Sequence, residues 1–526
     1  VRRLFQIDTA IFFSLWLLLM IGGRSAMLRD PGVFWHVATG ERILATGDVP
    51  RIDPFSFTRI GQPWVADQWL PECGMAILHR TVGWDGLLTV TTAILAAIYT
   101  WLTSRLLRRG LHLLPAGLLL AMAILAGASQ FHVRPLIFTI GLTGITFALL
   151  TDVESGRRNP RCLGWLVPMF LLWANLHGGV LAGLGTVGLC LFGWCGVWVL
   201  GGPFAKNSPV QSFRGAAECC GLIVLLCLTP LLNPHGLDLL RAWWDTLTMP
   251  LPNVIKEHAP LCFYEPEGWV TLAMASIYAV ALLGTPWRAI RVTWLMPLVW
   301  LLFAIQRVRN VPLFAVMVIV ALPEILPYSR LGRWLVQHDM LILPNLPYSK
   351  LPRQASPSSK TSNFADSNRV GLDRFLPWVL PWVLVLAVLT IQAMGLVIPI
   401  VGRGWVRWDV ACWPIELLPD LEAINAKSPE GTPIFNDLNF GGFLIDHTPR
   451  LRVFVDDRCS LYGGDFLQAY NHARQEDASP FDHWQQIYGF RYALVEANNQ
   501  FDRRLMLNES WRLVHRTPTA ALYERR

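Results

Sequence analysis

The chain has 526 residues, of which 53% are hydrophobic and only 15% charged, with 24 Trp and 26 Phe. Soluble domains carry about 25% charge, so an ordinary soluble enzyme and an intrinsically disordered chain are both excluded. The net charge of +7 is spread between apolar runs; that pattern argues against nucleic acid and for helices oriented by the positive-inside rule.

Eleven apolar runs approach or reach the length needed to cross a bilayer. They are 11–23, 84–106, 111–129, 136–153, 163–176, 179–200, 217–232, 269–284, 293–305, 311–326 and 375–401. The first follows Val1-Arg2-Arg3 and has no small-x-small cleavage site before Arg29, which predicts an uncleaved span. The stretch 69–82 is apolar but holds Glu72, His79 and Arg80, and reads as an interfacial or re-entrant helix. With the N-terminus inside, Arg105/Arg108/Arg109, Arg157/Arg158/Arg161, Lys206/Arg214, Arg288/Arg291 and the basic loop 330–374 are cytoplasmic. The first outer loop, 28–83, runs against this bias with Arg29, Arg42, Arg51 and Arg59. Parity then places the C-terminus outside.

Within 328–374, the Pro/Ser/Lys-rich tract 352–362 predicts a flexible cytoplasmic linker. After residue 401 the composition becomes that of a soluble domain. Residues 417–426 read as a helix, and 432–435, 451–455, 492–495, 512–515 and 520–523 as strands. The expected fold is an all-α polytopic membrane bundle of about 11 transmembrane helices over 1–401, followed by a C-terminal soluble α/β domain over 402–526. The ten cysteines contain no C-x-x-C, so zinc and redox motifs lack support. Cys412 and Cys459 could pair in an oxidising compartment.

Ionisable groups in or beside spans are expensive and mark candidate sites; here they gather at the outer ends. Asp30 lies just past the first span and is followed by Trp35-His36. It could serve as a general base or metal ligand, or as a helix cap and partner of Arg29. Further outer ends carry His132-Val133-Arg134-Pro135, Asn175-Leu176-His177-Gly178-Gly179, Asn233-Pro234-His235-Gly236 and Arg307-Val308-Arg309-Asn310-Val311-Pro312. Pro135 and Pro312 suit the first turn of a helix. Arg134 and Arg309 would then stand at helix N-termini, where free N–H groups and the dipole favour an anion. The alternative is that both snorkel to ordinary lipid phosphates. Arg307 and Arg309 fall on nearly opposite faces of a regular helix, so both point inward only where that helix has ended.

His36, His132, His177 and His235 lack ligand spacing, and capping fits them better than zinc; a divalent metal stays open. The outer loop 233–268 adds Trp243 and Trp244 on an amphipathic stretch that suits the membrane interface. Lys256, Glu257 and His258 follow as an acid–base cluster. In the soluble part, Gly441-Gly442 could approach a phosphate, and Asp456-Asp457 could bind a metal or cap a turn, the turn being the simpler reading.

This layout of a first span ending in an acid, a long outer loop with interfacial helices, a many-span bundle and an outer domain resembles the GT-C glycosyltransferases. That superfamily includes protein O-mannosyltransferases and lipid A aminoarabinose transferases. The motifs Asp30…Trp35-His36, Arg134-Pro135, Trp173…Asn175…His177-Gly178, Asn233-Pro234…Gly236 and Arg309-Asn310 are also similar to those of a group of bacterial polytopic proteins. The resemblance implies an inverting transfer of sugar from a polyprenyl-phosphate carrier to a glycan, lipid or protein acceptor, on the outer face of a bacterial inner membrane. Asp30, with His36 beside it, would do the proton chemistry. Arg134, Asn175, His177, His235, Glu257, Arg307 and Arg309 would hold the substrate and its phosphate. Members of the superfamily often carry paired acids in the first outer loop; here the second would come from Glu41, Asp48, Asp53, Asp67 or Glu72. The soluble domain is expected to bind acceptor or partner and leave catalysis to the bundle. A non-catalytic subunit of a larger membrane assembly is a rival reading. A transporter is another, though it would place its charges at the bilayer midplane.

Overall fold

The computed structural model describes residues 6–202, 205–249, 256–342 and 376–526. The membrane part is built from α1 (Ile7–Ala26), α2 (Gly32–Thr46), α3 (Trp69–Arg108), α4 (Leu113–Gly127), α5 (Leu136–Glu154), α6 (Leu166–Leu176) and α7 (Val180–Leu200). It continues with α8 (Phe213–Leu228), α9 (Leu237–Thr248), α10 (Pro266–Leu283), α11 (Met296–Gln306), α12 (Val311–Ile325), α13 (Arg330–Gln337) and α14 (Leu376–Ala393).

All eleven apolar runs contain a helix, and eight of the described helices are long and apolar enough to cross a membrane. The other three are shorter: α6 has 11 residues, and Val292–Gln306 and Trp378–Ala393 are apolar but brief. Two of these stop where polar turns begin, α6 at His177 and α11 at Arg307. The bundle centre is α12, in which every residue is buried, as its all-round apolar sequence requires. Inside α3, Gly83 adopts φ 75° and ψ −163°, a conformation open to glycine. This break separates the stretch 69–82 from the apolar helix that follows.

Part of the stretch read as a linker is ordered. The α13 segment runs on to Met340 and Ile342, which pair with His112 and Gly110 through His112 N–H to Met340 O at 3.0 Å and Ile342 N–H to Gly110 O at 2.8 Å. The rest of that stretch, 343–374 with the tract 352–362, lies outside the described residues.

Beyond α14 the chain packs back on α1, with the Trp405 indole N–H donating to Met20 O at 2.8 Å and Arg24 Nε to Trp405 O at 2.6 Å. The C-terminal part then follows as α15 (Leu418–Lys427), β1 (Thr432–Asn436), α16 (Leu438–His447), β2 (Leu451–Val453), α17 (Cys459–Tyr462) and α18 (Gly464–Gln475). It ends with α19 (Pro480–Tyr488), β3 (Tyr492–Glu496), α20 (Gln500–Leu507), β4 (Trp511–Arg516) and β5 (Ala520–Arg525). The five strands form one sheet in the order β2-β1-β3-β5-β4. The β1 pairings with β2 and β3 are parallel, and the β3–β5 and β4–β5 pairings antiparallel. All five expected strands are present. The second stops at Val453 because the Asn436 side chain takes over, accepting from Phe454 N–H at 2.7 Å and donating to Val455 O at 2.7 Å.

The two parts are docked by sequence-distant contacts. Residues 55–57, in the segment between α2 and α3, lie along β2, with Val453 N–H donating to Phe55 O at 3.1 Å and Phe57 N–H to Val453 O at 3.0 Å. Phe34 of α2 packs against Trp84, Trp408, Trp413 and Phe443. A Cβ on Gly442 would lie 2.1 Å from Pro31 O, and one on Gly441 2.3 Å from Val455 O. The glycine pair therefore serves close packing of α16, not a phosphate. All ten cysteines, Cys412 and Cys459 included, are free thiols.

Candidate active site

A cavity of about 1030 Å³ lies where the helix ends meet the C-terminal part. Part of its lining is apolar, contributed by Leu181, Ala182 and Leu189 of α7, Leu247 of α9, and Val299 and Phe303 of α11. The charged groups of the lining include Asp30, Arg134, Glu257 with His258, Arg307 with Arg309, and Asp457, drawn from five sequence regions.

Asp30 stands at the start of α2. Its Oδ1 accepts the Gly32 N–H at 2.7 Å, and its Oδ2 accepts from Arg134 Nη1 at 2.8 Å. Arg29 pairs elsewhere, with Asp409 at 2.8 Å. Arg134 Nη1 also reaches Glu257 Oε1 at 2.5 Å. From the C-terminal part, Asp457 Oδ1 accepts the Trp35 indole N–H at 2.8 Å. A Cβ added at Gly32 would lie 2.7 Å from Asp30 Oδ1, 3.0 Å from Arg134 Nε and 3.1 Å from Asp457 Oδ2. Only glycine leaves room for these three groups to converge.

Their titration follows from burial and neighbours. Burial raises the Glu257 carboxyl, but Arg134 and then Arg309 outweigh it and hold it down to about 2. Burial and then the Asp30 charge push Asp457 up to about 8.

At the other helix start, α11 ends at Gln306, Arg307 has an extended backbone (φ −145°, ψ 116°), and a 3₁₀ turn spans Val308–Asn310 before α12. Because the helix has ended, Arg307 and Arg309 both line the cavity. Arg309 Nη1 lies 3.3 Å from His258 Nε2. Burial and then Arg309 hold that imidazole down to about 4. Among the described residues, no carboxylate lies within ion-pair range of Arg307 or Arg309.

No protein-family model and no curated protein sequence matches the chain. Among solved structures, the oligosaccharyltransferase of Archaeoglobus fulgidus, tethered with an acceptor peptide, aligns with a TM-score of 0.52 at 10% identity, covering 93% of this chain and 69% of that one. Its apo form aligns with the same score and coverage at 11% identity. The chain has a GT-C fold. ArnT from Cupriavidus metallidurans bound to undecaprenyl phosphate also aligns, over 98% of this chain and 97% of its own, at 13% identity and a TM-score of 0.47.

Within the GT-C fold, Asp30, Arg134, His177, Glu257, Arg307 and Arg309 all border the cavity. His36, Asn175 and His235 do not. Successive side chains on α2 point about 100° apart, so while Trp35 faces the cavity, His36 stands behind it, with ring centroids 3.7 Å apart. His36 Nδ1 bonds Glu72 Oε1 at 2.8 Å. Burial, then Arg134 and His177, keep its imidazole well below the usual range. It holds Glu72 and does not reach substrate space. Asn175 locks the end of α6, accepting from Trp69 Nε1 at 2.9 Å and donating to Leu171 O at 2.9 Å. His235 belongs to a turn in which Asn233 Oδ1 accepts the His235 N–H at 3.1 Å and Asn233 Nδ2 donates to Ala174 O at 3.1 Å. His177 Nδ1 accepts the Gly179 N–H at 2.8 Å, and burial with the charges of Arg309 and Arg134 lowers it to about 3. Among the described residues, no three His, Cys, Asp or Glu side chains gather as a metal site.

The acids proposed as partners of Asp30 divide. Glu41 pairs with Arg80, Asp48 is exposed, and Asp53 pairs with Arg458 at 2.8 Å. Asp67 and Glu72 reach the cavity wall, and burial pushes Asp67 up to about 6. The carboxylate beside Asp30, however, is Asp457, from the half to which the sequence assigns no proton chemistry. Asp456, its neighbour, is fully buried and structural, bonding Arg458 Nε at 2.9 Å and the Tyr462 hydroxyl at 2.9 Å. An Asp-Asp-Arg at a strand end is visible in the sequence, but nothing local says which cavity it faces.

Proposed function

We propose that this GT-C protein is a membrane glycosyltransferase that moves a sugar from a polyprenyl-phosphate carrier to an acceptor at the outer face of a bacterial inner membrane. The observation that carries this reading is one cavity lined by apolar residues of α7, α9 and α11, by Arg307 and Arg309, which have no carboxylate within ion-pair range among the described residues, and by Asp30 and Asp457. An isoprenoid tail suits the wall between α7 and α11. Arg307 and Arg309, at the start of α12, suit the phosphate. The acceptor hydroxyl loses its proton to a cavity carboxylate and attacks the anomeric carbon from the face opposite the phosphate. The carbon–oxygen bond to phosphate then breaks with its electron pair, and the arginines neutralise the charge that develops. The GT-C fold supports the reading as a scaffold on which such chemistry occurs; fold by itself does not assign activity.

The test is binding of undecaprenyl phosphate to the full chain in lipid nanodiscs, followed by native mass spectrometry, alongside turnover of undecaprenyl-phosphate sugars. Saturable binding that Arg309→Ala weakens supports the proposal. A chain that binds none of the carrier but still assembles with other membrane proteins favours the scaffold reading.

A further inference from the structure

Asp30 is the acid that the sequence singles out as base, yet both its oxygens are committed. Oδ1 caps α2 through the Gly32 N–H, and Oδ2 is bound by Arg134. With both oxygens so engaged, Asp30 presents no free acceptor to a substrate hydroxyl. Asp457 differs. One oxygen, Oδ1, is fixed by the Trp35 indole, while Oδ2 accepts no hydrogen bond among the described residues. That oxygen lies 3.1 Å from the Cβ position Gly32 leaves empty, in the space Asp30 and Arg134 border. The segment bearing it is rigidly held. Asp456 and Asp53 clamp Arg458, and the Asn436 side chain bonds the backbone on either side of the strand end.

We propose that Asp457, from the C-terminal domain, is the general base of the transfer, and that Asp30 is a positioning residue that holds Arg134. This rests on the glycosyltransferase reading and names the proton acceptor within it. The acceptor O–H gives its proton to Asp457 Oδ2, its oxygen forms the new bond to the anomeric carbon, and the lipid phosphate departs with the electron pair. Asp457 then returns the proton to water. A base is most effective with its pKa near working pH, and the rise of this carboxyl to about 8 is in keeping with that. The charged and titratable groups that face it are Asp30, Arg134, Glu257, Asp456 and the Cys459 thiol. The consequence is that the bundle alone lacks its base.

The experiment compares full-length wild type, Asp457→Asn, Asp457→Glu and Asp30→Asn in nanodiscs. The probes are undecaprenyl phosphate for binding and a panel of undecaprenyl-phosphate hexoses and aminopentoses for turnover, with water as the minimal acceptor. Asn can still accept the Trp35 N–H, so the fold is spared and thermal melting checks it. Asp457→Asn should lower turnover by about 100-fold or more, keep carrier affinity within about threefold, and abolish the rise of rate with pH toward about 8. Asp457→Glu should restore part of the rate. Asp30→Asn should weaken carrier affinity and rate yet keep the pH limb. The proposal is overturned where Asp457→Asn retains the limb and most of its rate while Asp30→Asn abolishes turnover. A wild type that binds undecaprenyl phosphate but turns over nothing in the panel removes the glycosyltransferase reading itself, and the base assignment with it.

Discussion

The two ends of the bundle carry the same residue types in opposite states. At the end away from the cavity, Asp152 accepts Arg105 at 2.7 Å, Arg157 at 2.8 Å and Arg109 at 3.2 Å, and Glu324 accepts Arg157 at 2.6 Å and Arg109 at 3.2 Å. Every one of these arginines finds a carboxylate. The cluster ties α3, α5 and the loop after it to α12. At the cavity end, Arg134 is shared by Asp30 and Glu257, but among the described residues Arg307 and Arg309 have no carboxylate within ion-pair range and one oxygen of Asp457 accepts no hydrogen bond. Saturated ion pairs hold helices together; unsaturated ones beside empty volume are what a charged substrate can use. Composition does not separate the two clusters. Partner count does.

The sharpest way to break this comparison is at the junction that brings Asp457 to Asp30. Gly442→Val would drive a side chain into Pro31 O, which lies 2.1 Å from the Cβ position. It should undock α16, cost about 1–3 kcal/mol or more as an overpacked contact, and abolish turnover of lipid-linked sugar. Protease sensitivity near residues 402–416 and the activity assay check it together. Next in size, Arg309→Ala should raise the dissociation constant for undecaprenyl phosphate by about tenfold or more, the loss of a charge-assisted contact. Arg157→Ala, at the saturated end, should instead lower the melting temperature with carrier affinity unchanged. Glu324 and Asp152 keep other arginines, so the loss is smaller than that of a buried pair left with one uncompensated charge. Should Arg157→Ala weaken carrier binding as much as Arg309→Ala, the distinction between the two ends fails.

The smallest effect is acid stability. The folded pKa of Glu257, about 2, is below its usual 4.5. Its stabilising contribution is therefore fully present above about 4.5 and is lost as pH falls toward 2. Thermal melting from pH 6 to pH 3 should decline less steeply in Glu257→Gln than in wild type.

Much of this is legible residue by residue. The apolar runs predict the helices because a bilayer demands internal hydrogen bonding over a set length. The alternating segments after 430 predict all five strands. Arg134-Pro135 and Arg309…Pro312 predict helix starts, since proline at a first turn forgoes a donor the helix does not need. His36 is misplaced by such reasoning because proximity in sequence to Asp30 and Trp35 says nothing about which face of α2 meets the cavity. The Gly441-Gly442 pair reads as a ligand loop because glycine signals close approach without naming what approaches.

By itself, then, the sequence determined a polytopic bundle, a small α/β domain, and helix ends rich in Arg, His and Asp, because hydrophobic length, alternation and turn chemistry act over a few residues at a time. Only the tertiary structure decided that residues 55–57 would lie along β2, that Gly442 would seat on Pro31, and that Asp457 would share a space with Asp30 some 400 residues away. Those contacts depend on shape complementarity between surfaces far apart in the chain, and no local pattern encodes which two surfaces will fit.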